Sequence, residues 1–143
     1  VDIGDGLRWL EGAVDGSLGG ISLIQVVEHL SQQEVVDLVA LAATKLRKGG
    51  RIVMETVNPE SLYVYAHAFY LDPTHSRPVH PAYLLFLLRE AGFAEVGVDW
   101  RSSPPAGDLL EDTGGEQPTF DANVARLNRL LFAPQDYAAF ATR

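Results

Sequence analysis

The sequence predicts an α/β fold built on parallel strands, and three observations carry that prediction. Gly20–Val27 is an apolar, β-branched run, the pattern of a strand buried on both faces. Arg51–Val57 is a second run of the same kind. A single capped helix lies between them, which makes a βαβ unit with a right-handed crossover. Polar groups gather at one rim of this unit. Gln25, Glu28 and His29 sit at or just past the carboxyl end of the first run, and Glu55, Thr56 and Asn58 at the end of the second. In open α/β sheets that end is where ligands bind.

In chain order, Val1–Asp5 reads as a strand end running into a loop. The chain opens there without methionine, which leads to the expectation of a fragment. Gly6–Ala13 reads as a short helix with Leu7, Trp9 and Leu10 on its apolar side, and Asp15–Gly20 as turn formers. The first strand is predicted over about Ile21–Val27. Ser31 with Glu34 three residues later is a capping box, and the helix it opens runs to about Arg47. Val35, Leu38, Val39, Ala42 and Leu46 form its apolar stripe, and Gly49-Gly50 end it. Asn58-Pro59 reads as N-cap and first helical residue of a helix to about Tyr70. Leu71–Pro81 is a loop stiffened by three prolines. Pro81 opens a helix to about Ala91, with Leu84, Leu85, Leu87 and Leu88 as core, closed by Gly92. Phe93–Arg101 is a strand with Phe93, Val96, Val98 and Trp100 as its apolar set. Ser102–Gln117 has the composition of a partly disordered loop. Phe120–Phe132 is helical, with Phe120, Val124, Leu127 and Leu131 as one stripe, and Asp136–Thr142 is a last strand.

Composition narrows the classes. The 143 residues are 47% hydrophobic, enough for one domain, 1–143, with a real core. No apolar stretch has the roughly 18–20 residues that span a bilayer, and no secretory signal is visible. The absence of cysteine excludes disulfides, thiolate metal sites and cysteine nucleophiles, and agrees with an expected cytoplasmic location. A net charge of −8 argues against a duplex nucleic-acid partner, which needs a basic stripe to neutralise phosphates.

Three motifs follow one another in order: Gln25-Val-Val-Glu-His-Leu30, Leu46-Arg-Lys-Gly-Gly-Arg-Ile-Val-Met-Glu-Thr-Val-Asn-Pro59, and Glu90-Ala-Gly-Phe93. Their sequence resembles the carboxyl-terminal half of class I S-adenosylmethionine-dependent methyltransferases. In that family the fourth strand ends in a Val-Leu-Glu-His-like run. A Leu-Lys-Pro-Gly-Gly-like turn precedes the fifth strand, with Lys48 here in place of the proline. The resemblance implies a Rossmann-like sheet of parallel strands with an antiparallel final strand, truncated at the amino terminus, with a helical and loop insertion at about 102–134. The cofactor implied is S-adenosylmethionine, with Asp5, Gly6, Gln25 and Val26 as its contacts. The family's glycine-rich loop and its ribose-binding acidic residue have no counterpart in this chain. By order, Val1–Ile3 is the third strand and Asp5 the residue facing the adenine. Without the family's first strand, Ile21–Val27 is expected to present an unpaired apolar edge, open to pairing in a homo-oligomer, unless the amino-terminal strand takes another position.

Methyl transfer from a sulfonium needs an acceptor held in line and, for a hydroxyl, a general base or a metal. His29 is the base candidate because imidazole titrates near neutrality, and Glu28 orients it or contacts the acceptor. The plainer alternative is that both cap the next helix. Some methyltransferases of this class carry Glu-x-x-Glu-His after the fourth strand and bind a divalent metal there. This chain reads Gln25-x-x-Glu28-His29, an amide in place of the first carboxylate. The metal set implied is Glu28, His29 and His75, with Asp72 and His80 as further candidates. Asn58, Tyr70, Asp72, His75, Arg77 and His80 are candidates for holding a small-molecule acceptor. Arg77 offers a bidentate contact to a carboxylate or phosphate. The alternative for this loop is that its histidines cap neighbouring helices. The leading expectation is O-methylation of a small molecule or saccharide. A non-catalytic, truncated methyltransferase-like module and a metal-dependent hydrolase are the competing classes.

Overall fold

The structure, a computed structural model, describes residues 4–143. The predicted third strand, Val1–Ile3, lies outside the described residues. Four strands, β1 (Leu18–Ile24), β2 (Leu46–Val57), β3 (Ala94–Arg101) and β4 (Asp136–Thr142), form one sheet in the order β1-β2-β4-β3. β1 and β2 are parallel, and β4 runs antiparallel between β2 and β3. This is the mixed sheet with an antiparallel last strand that the sequence predicts. The helices are α1 (Gly6–Gly12), α2 (Gln32–Lys45), α3 (Pro81–Glu90) and α4 (Pro118–Leu131).

The core follows from periodicity. Val35, Leu38, Val39 and Ala42 of α2 and Leu84 and Leu88 of α3 are buried together with Ile52 and Met54 of β2 and Tyr137, Ala139 and Ala141 of β4. On β2 the even positions Ile52, Met54 and Thr56 are fully buried and the odd positions are half-buried or exposed. The expectation of burial on both faces is therefore corrected. Among the described residues the buried cluster of α2 and α3 takes one face of β2, and Ile24 of β1 is 51% exposed. The stripe on α4 is corrected in the same way. Val124 is buried, but Phe120 and Leu127 are exposed.

Three boundaries differ from the sequence reading, each for a local reason. β1 ends at Ile24 because Gln25 adopts φ +53°, a left-handed conformation that breaks the extended path. Its amide still donates to Glu55 O at 2.8 Å, so the rim stays tied to β2. α2 begins with the predicted capping box, Ser31 and Glu34, but ends at Lys45, because Leu46 turns extended and pairs with Leu18. Gly49 and Gly50 thus lie inside β2 and do not close the helix. A side chain at Gly50 would meet Arg47 O at 2.9 Å and Leu18 O at 3.2 Å. Because both neighbours are backbone, Gly50→Ala is expected to cost about 1–3 kcal/mol of stability, measurable by urea denaturation. A cost near zero would contradict this packing.

The segment after β2 departs furthest from a regular helix. Residues Val64–Ala68 form a π-turn, and Phe69–Leu71 a 3₁₀ turn. The loop at 102–117 is not free. The Asp121 carboxylate accepts from the Thr113 amide and hydroxyl and from the Gly115 amide, and Asn128 bonds both the amide and the carbonyl of Leu110.

Among the described residues β1 pairs only with β2, so its outer edge has no ladder partner. Leu18–Gln25 carries no charge and no proline to protect that edge. No helix of the described residues is long and apolar enough to cross a membrane.

Candidate active site

The strained Gln25 turn aims the chain from β1 into a 3₁₀ turn, Val27–His29. Strain of this kind costs of order 1 kcal/mol and is found where a site needs a particular approach. The turn carries Glu28 inward, with no exposed surface, and His29 outward. One carboxylate oxygen, Oε2, accepts from the Thr56 hydroxyl at 2.7 Å at the end of β2. The other, Oε1, is buried and has no donor. The Glu28 carbonyl accepts from the Ser76 and Arg77 amides at 2.8 and 3.4 Å. The loop after the π-turn is thereby stitched to the rim of β1.

That stitching brings His75 to His29. Their ring centroids lie 4.8 Å apart. Glu28, His29 and His75 each offer one ligating atom, all within 4.8 Å of one another. The hydrogen bonds select the tautomers. The Thr74 hydroxyl donates to Asp72 Oδ1 at 2.6 Å, so its oxygen is left to accept from His29 Nδ1 at 3.0 Å. The Thr74 carbonyl lies 3.2 Å from the same nitrogen. His75 Nδ1 faces the Phe69 carbonyl at 2.6 Å and donates to it. In the neutral imidazoles both protons therefore sit on Nδ1, and both Nε2 lone pairs are left unprotonated. This is the arrangement by which outer groups orient metal-binding or proton-accepting histidines. Phe69 supports His75 from one side, with centroids 4.6 Å apart.

Asp72 braces this loop. The Thr74 hydroxyl, then the Thr74 amide, hold its carboxyl below the ordinary range, helped by the charges of His75 and His29. Because its pKa is depressed on folding, the stabilisation is present above the unfolded value of about 3.9 and is lost as pH falls through the folded one. NMR titration should find the Asp72 midpoint below that of an unstructured peptide, with the Thr74 and His29 signals moving in the same acid step. Asp72→Asn should abolish the step, and a midpoint at or above the peptide value would refute the brace.

The remaining sequence candidates divide. Asp5 caps α1, its Oδ1 accepting from the Leu7 and Arg8 amides at 3.0 and 3.2 Å. Asp5, Gly6 and Val26 line one largely apolar cavity of about 490 Å³ beside the open edge of β1. Gln25 lies off that cavity, and its amide donates to Asp136 at 3.2 Å. Asn58 is fully buried, donating to Pro134 O at 2.8 Å and accepting from the Glu60 amide at 3.0 Å, so it is turned into the fold and not presented to an acceptor. His80 caps α3, accepting from the Ala82 amide at 3.1 Å, with Nε2 3.3 Å from Glu60. It is not brought to the Glu28 cluster. Tyr70 is 65% exposed and meets Tyr65 edge-on, and the Tyr65 hydroxyl raises its phenol pKa. The groups that sequence reasoning passed over are Thr74, which sets the His29 tautomer, and Tyr137, whose buried hydroxyl donates to Val79 O at 2.7 Å and anchors the end of the loop. A hydroxyl between Asp72 and His75 was the one signal for Thr74. For Tyr137 there was none.

No protein-family model and no curated protein sequence matches the chain. Solved structures do. A S-adenosylmethionine-dependent methyltransferase from Archaeoglobus fulgidus superposes with a TM-score of 0.90 at 35% identity, over 98% of this chain and 66% of that one. A methyltransferase from Thermotoga maritima, described as a possible histamine N-methyltransferase, gives 0.62 at 17% identity, over 92% of this chain and 58% of that one. The methyltransferase SibL in its apo form gives 0.58 at 18% identity, over 94% and 33%. The last two show the fold alone. The chain spans between a third and two thirds of these three proteins.

Proposed function

We propose, on the premise that the chain belongs to the class I S-adenosylmethionine-dependent methyltransferase fold family, that it carries the acceptor-activating part of a methyl-transfer site. In this reading the acceptor is a hydroxyl oxygen of a small molecule or saccharide, the class of acceptor whose proton a neighbouring imidazole would take. Asp5, Gly6 and Val26 are the contacts for the adenosine end of the donor in this reading, since they share one cavity beside the open edge of β1. The donor supplies an electrophilic methyl group, and the reaction needs no covalent intermediate on the protein. The chain's own residues then have two tasks: to hold the hydroxyl in line and to take its proton. His29 Nε2, left unprotonated by the Thr74 contact, accepts that proton. His75 and the loop from Asp72 to Arg77 fix the acceptor beside it.

The observation that carries this reading is the Glu28, His29 and His75 cluster, whose ligating atoms lie within 4.8 Å of one another. A second reading of the same cluster rests on Glu28 Oε1. A buried carboxylate oxygen without a donor is costly. The set of one carboxylate and two imidazoles fits a divalent cation such as Mn²⁺ or Zn²⁺. Such a cation would lower the pKa of the acceptor hydroxyl, and His29 would then serve as ligand in place of base.

Calorimetric titration of the chain with S-adenosylhomocysteine, with and without Mn²⁺, tests both. Micromolar binding that needs no metal supports the base reading, and binding that requires Mn²⁺ supports the cation. Stoichiometric metal binding without the nucleoside would favour a hydrolase. No binding of either by folded chain would favour a non-catalytic module, with the unpaired edge of β1 open to another chain.

A further inference from the structure

Arg77 is the one cation of the loop, and its side chain is placed in a way no internal partner explains. Its Nε and Nη2 atoms are both buried and neither has a hydrogen-bond acceptor. These two nitrogens form the side-on edge of the guanidinium, where two parallel N–H groups match the two oxygens of a carboxylate or phosphate. Tyr83 of α3 packs against the group, its ring centre 5.5 Å from Cζ. The backbone is fixed as well, because the Arg77 amide points to Glu28 O and Pro78 follows it. The fork is therefore held in place before any ligand arrives.

The charge balance sharpens the point. The chain holds 19 acidic residues against 11 lysines and arginines. Arg8, Lys45 and Arg101 all find a carboxylate within 4 Å. Among the described residues Arg77 is one of eight that do not, and of those eight it alone has guanidinium or ammonium nitrogens buried without an acceptor. A buried guanidinium edge without a counter-charge is costly, and in an acidic protein a partner would be easy to supply. Two residues from His75, the buried edge of Arg77 is left without an internal partner.

We infer that the Arg77 fork binds an oxyanion carried by the acceptor, a carboxylate or a phosphate, and so selects acidic acceptors. The acceptor part of this inference rests on the methyl-transfer reading, whereas the anion site itself does not.

The test follows the Arg77 Nε–H resonance by heteronuclear NMR while the chain is titrated with inorganic phosphate and, separately, with acetate. Neither a nucleoside nor a metal is present, so failure of S-adenosylhomocysteine or Mn²⁺ to bind leaves the result interpretable. The expected outcome is a saturable shift with at least one of the two anions. Phosphate alone points to a phosphorylated acceptor and acetate alone to a carboxylic acid. Arg77→Lys keeps the charge but loses the parallel donors, and should weaken the responding anion about tenfold. Arg89→Lys, on the far part of α3, should change nothing. If Arg77→Lys does not fold, the titration of the unaltered chain decides alone. No shift with either anion, or one matched by chloride at equal ionic strength, overturns the proposal.

Discussion

Glu28→Gln is expected to lower divalent-cation affinity by more than about 100-fold while leaving stability unchanged or up to about 1 kcal/mol higher. Outer-shell changes at metal sites already cost about 10–100-fold, and Glu28 would be a direct ligand. The amide keeps the shape and can still accept from Thr56, so the contact at 2.7 Å survives. What disappears is a buried charge whose Oε1 has no donor. A carboxylate buried short of a donor is costly, and its neutral isostere avoids the cost of a buried charge. The opposite directions of the two effects make the variant decisive. Mn²⁺ titration and urea denaturation on one preparation read both. Unchanged metal affinity would remove Glu28 from any metal centre, and a large loss of stability would make it a structural residue.

The second large effect belongs to Tyr137. It is fully buried at the centre of the sheet, on β4 beside Thr56 of β2. Burial and the neighbouring charges of Glu28 and Glu60 push its phenol pKa far up, so it stays a neutral donor. Tyr137→Ala should cost about 4 kcal/mol, a large share of the roughly 5–15 kcal/mol that holds a domain together. Tyr137→Phe keeps the ring and strands the Val79 carbonyl, and should cost about 1–3 kcal/mol. Denaturant midpoints of the two variants separate ring from hydroxyl. Equal losses would mean that the hydrogen bond to Val79, and not packing, carries the effect. Because Val79 ends the loop that bears His75, the Phe variant should, if Glu28, His29 and His75 hold a cation, also weaken its binding without touching a ligand.

These residues also show what the sequence could and could not tell. Ser31 and Glu34 encode their capping box in four residues, and the Asp136–Thr142 strand is a short apolar run set off by Pro134, its antiparallel sense being implied by the family resemblance alone. Both were readable because local chemistry decides them. The end of β1 was not. The left-handed turn at Gln25 carries no glycine to announce it, and it is held by a partner 30 residues on, Glu55. The aromatic stretch after Asn58 has helical spacing, which cannot distinguish an α-turn from a π-turn. The site itself was half legible. Glu28, His29 and His75 were named from residue type and a family resemblance. Their convergence depends on the Ser76 and Arg77 amides reaching the Glu28 carbonyl, a contact that no spacing rule predicts. Asn58 and His80 are candidates by position, one at the carboxyl end of a strand and the other in the loop that follows, but in the fold their polar atoms meet Pro134, Glu60 and Ala82.

The π-turn at Val64–Ala68 has a consequence for how such a chain can change. A π-turn is in effect an α-turn carrying one residue too many. Each residue of an α-helix advances the side chains by about 100°, so losing a single codon there would restore the regular spiral and swing Tyr63 and Tyr65 relative to Tyr70 and His75. Point substitution alters which side chains this aromatic segment carries. A one-residue deletion would alter which way it faces, leaving the sheet, the Glu28 turn and the prolines of the following loop as they are. Variation in the face these aromatics present is therefore to be sought in the length of this segment as much as in its composition.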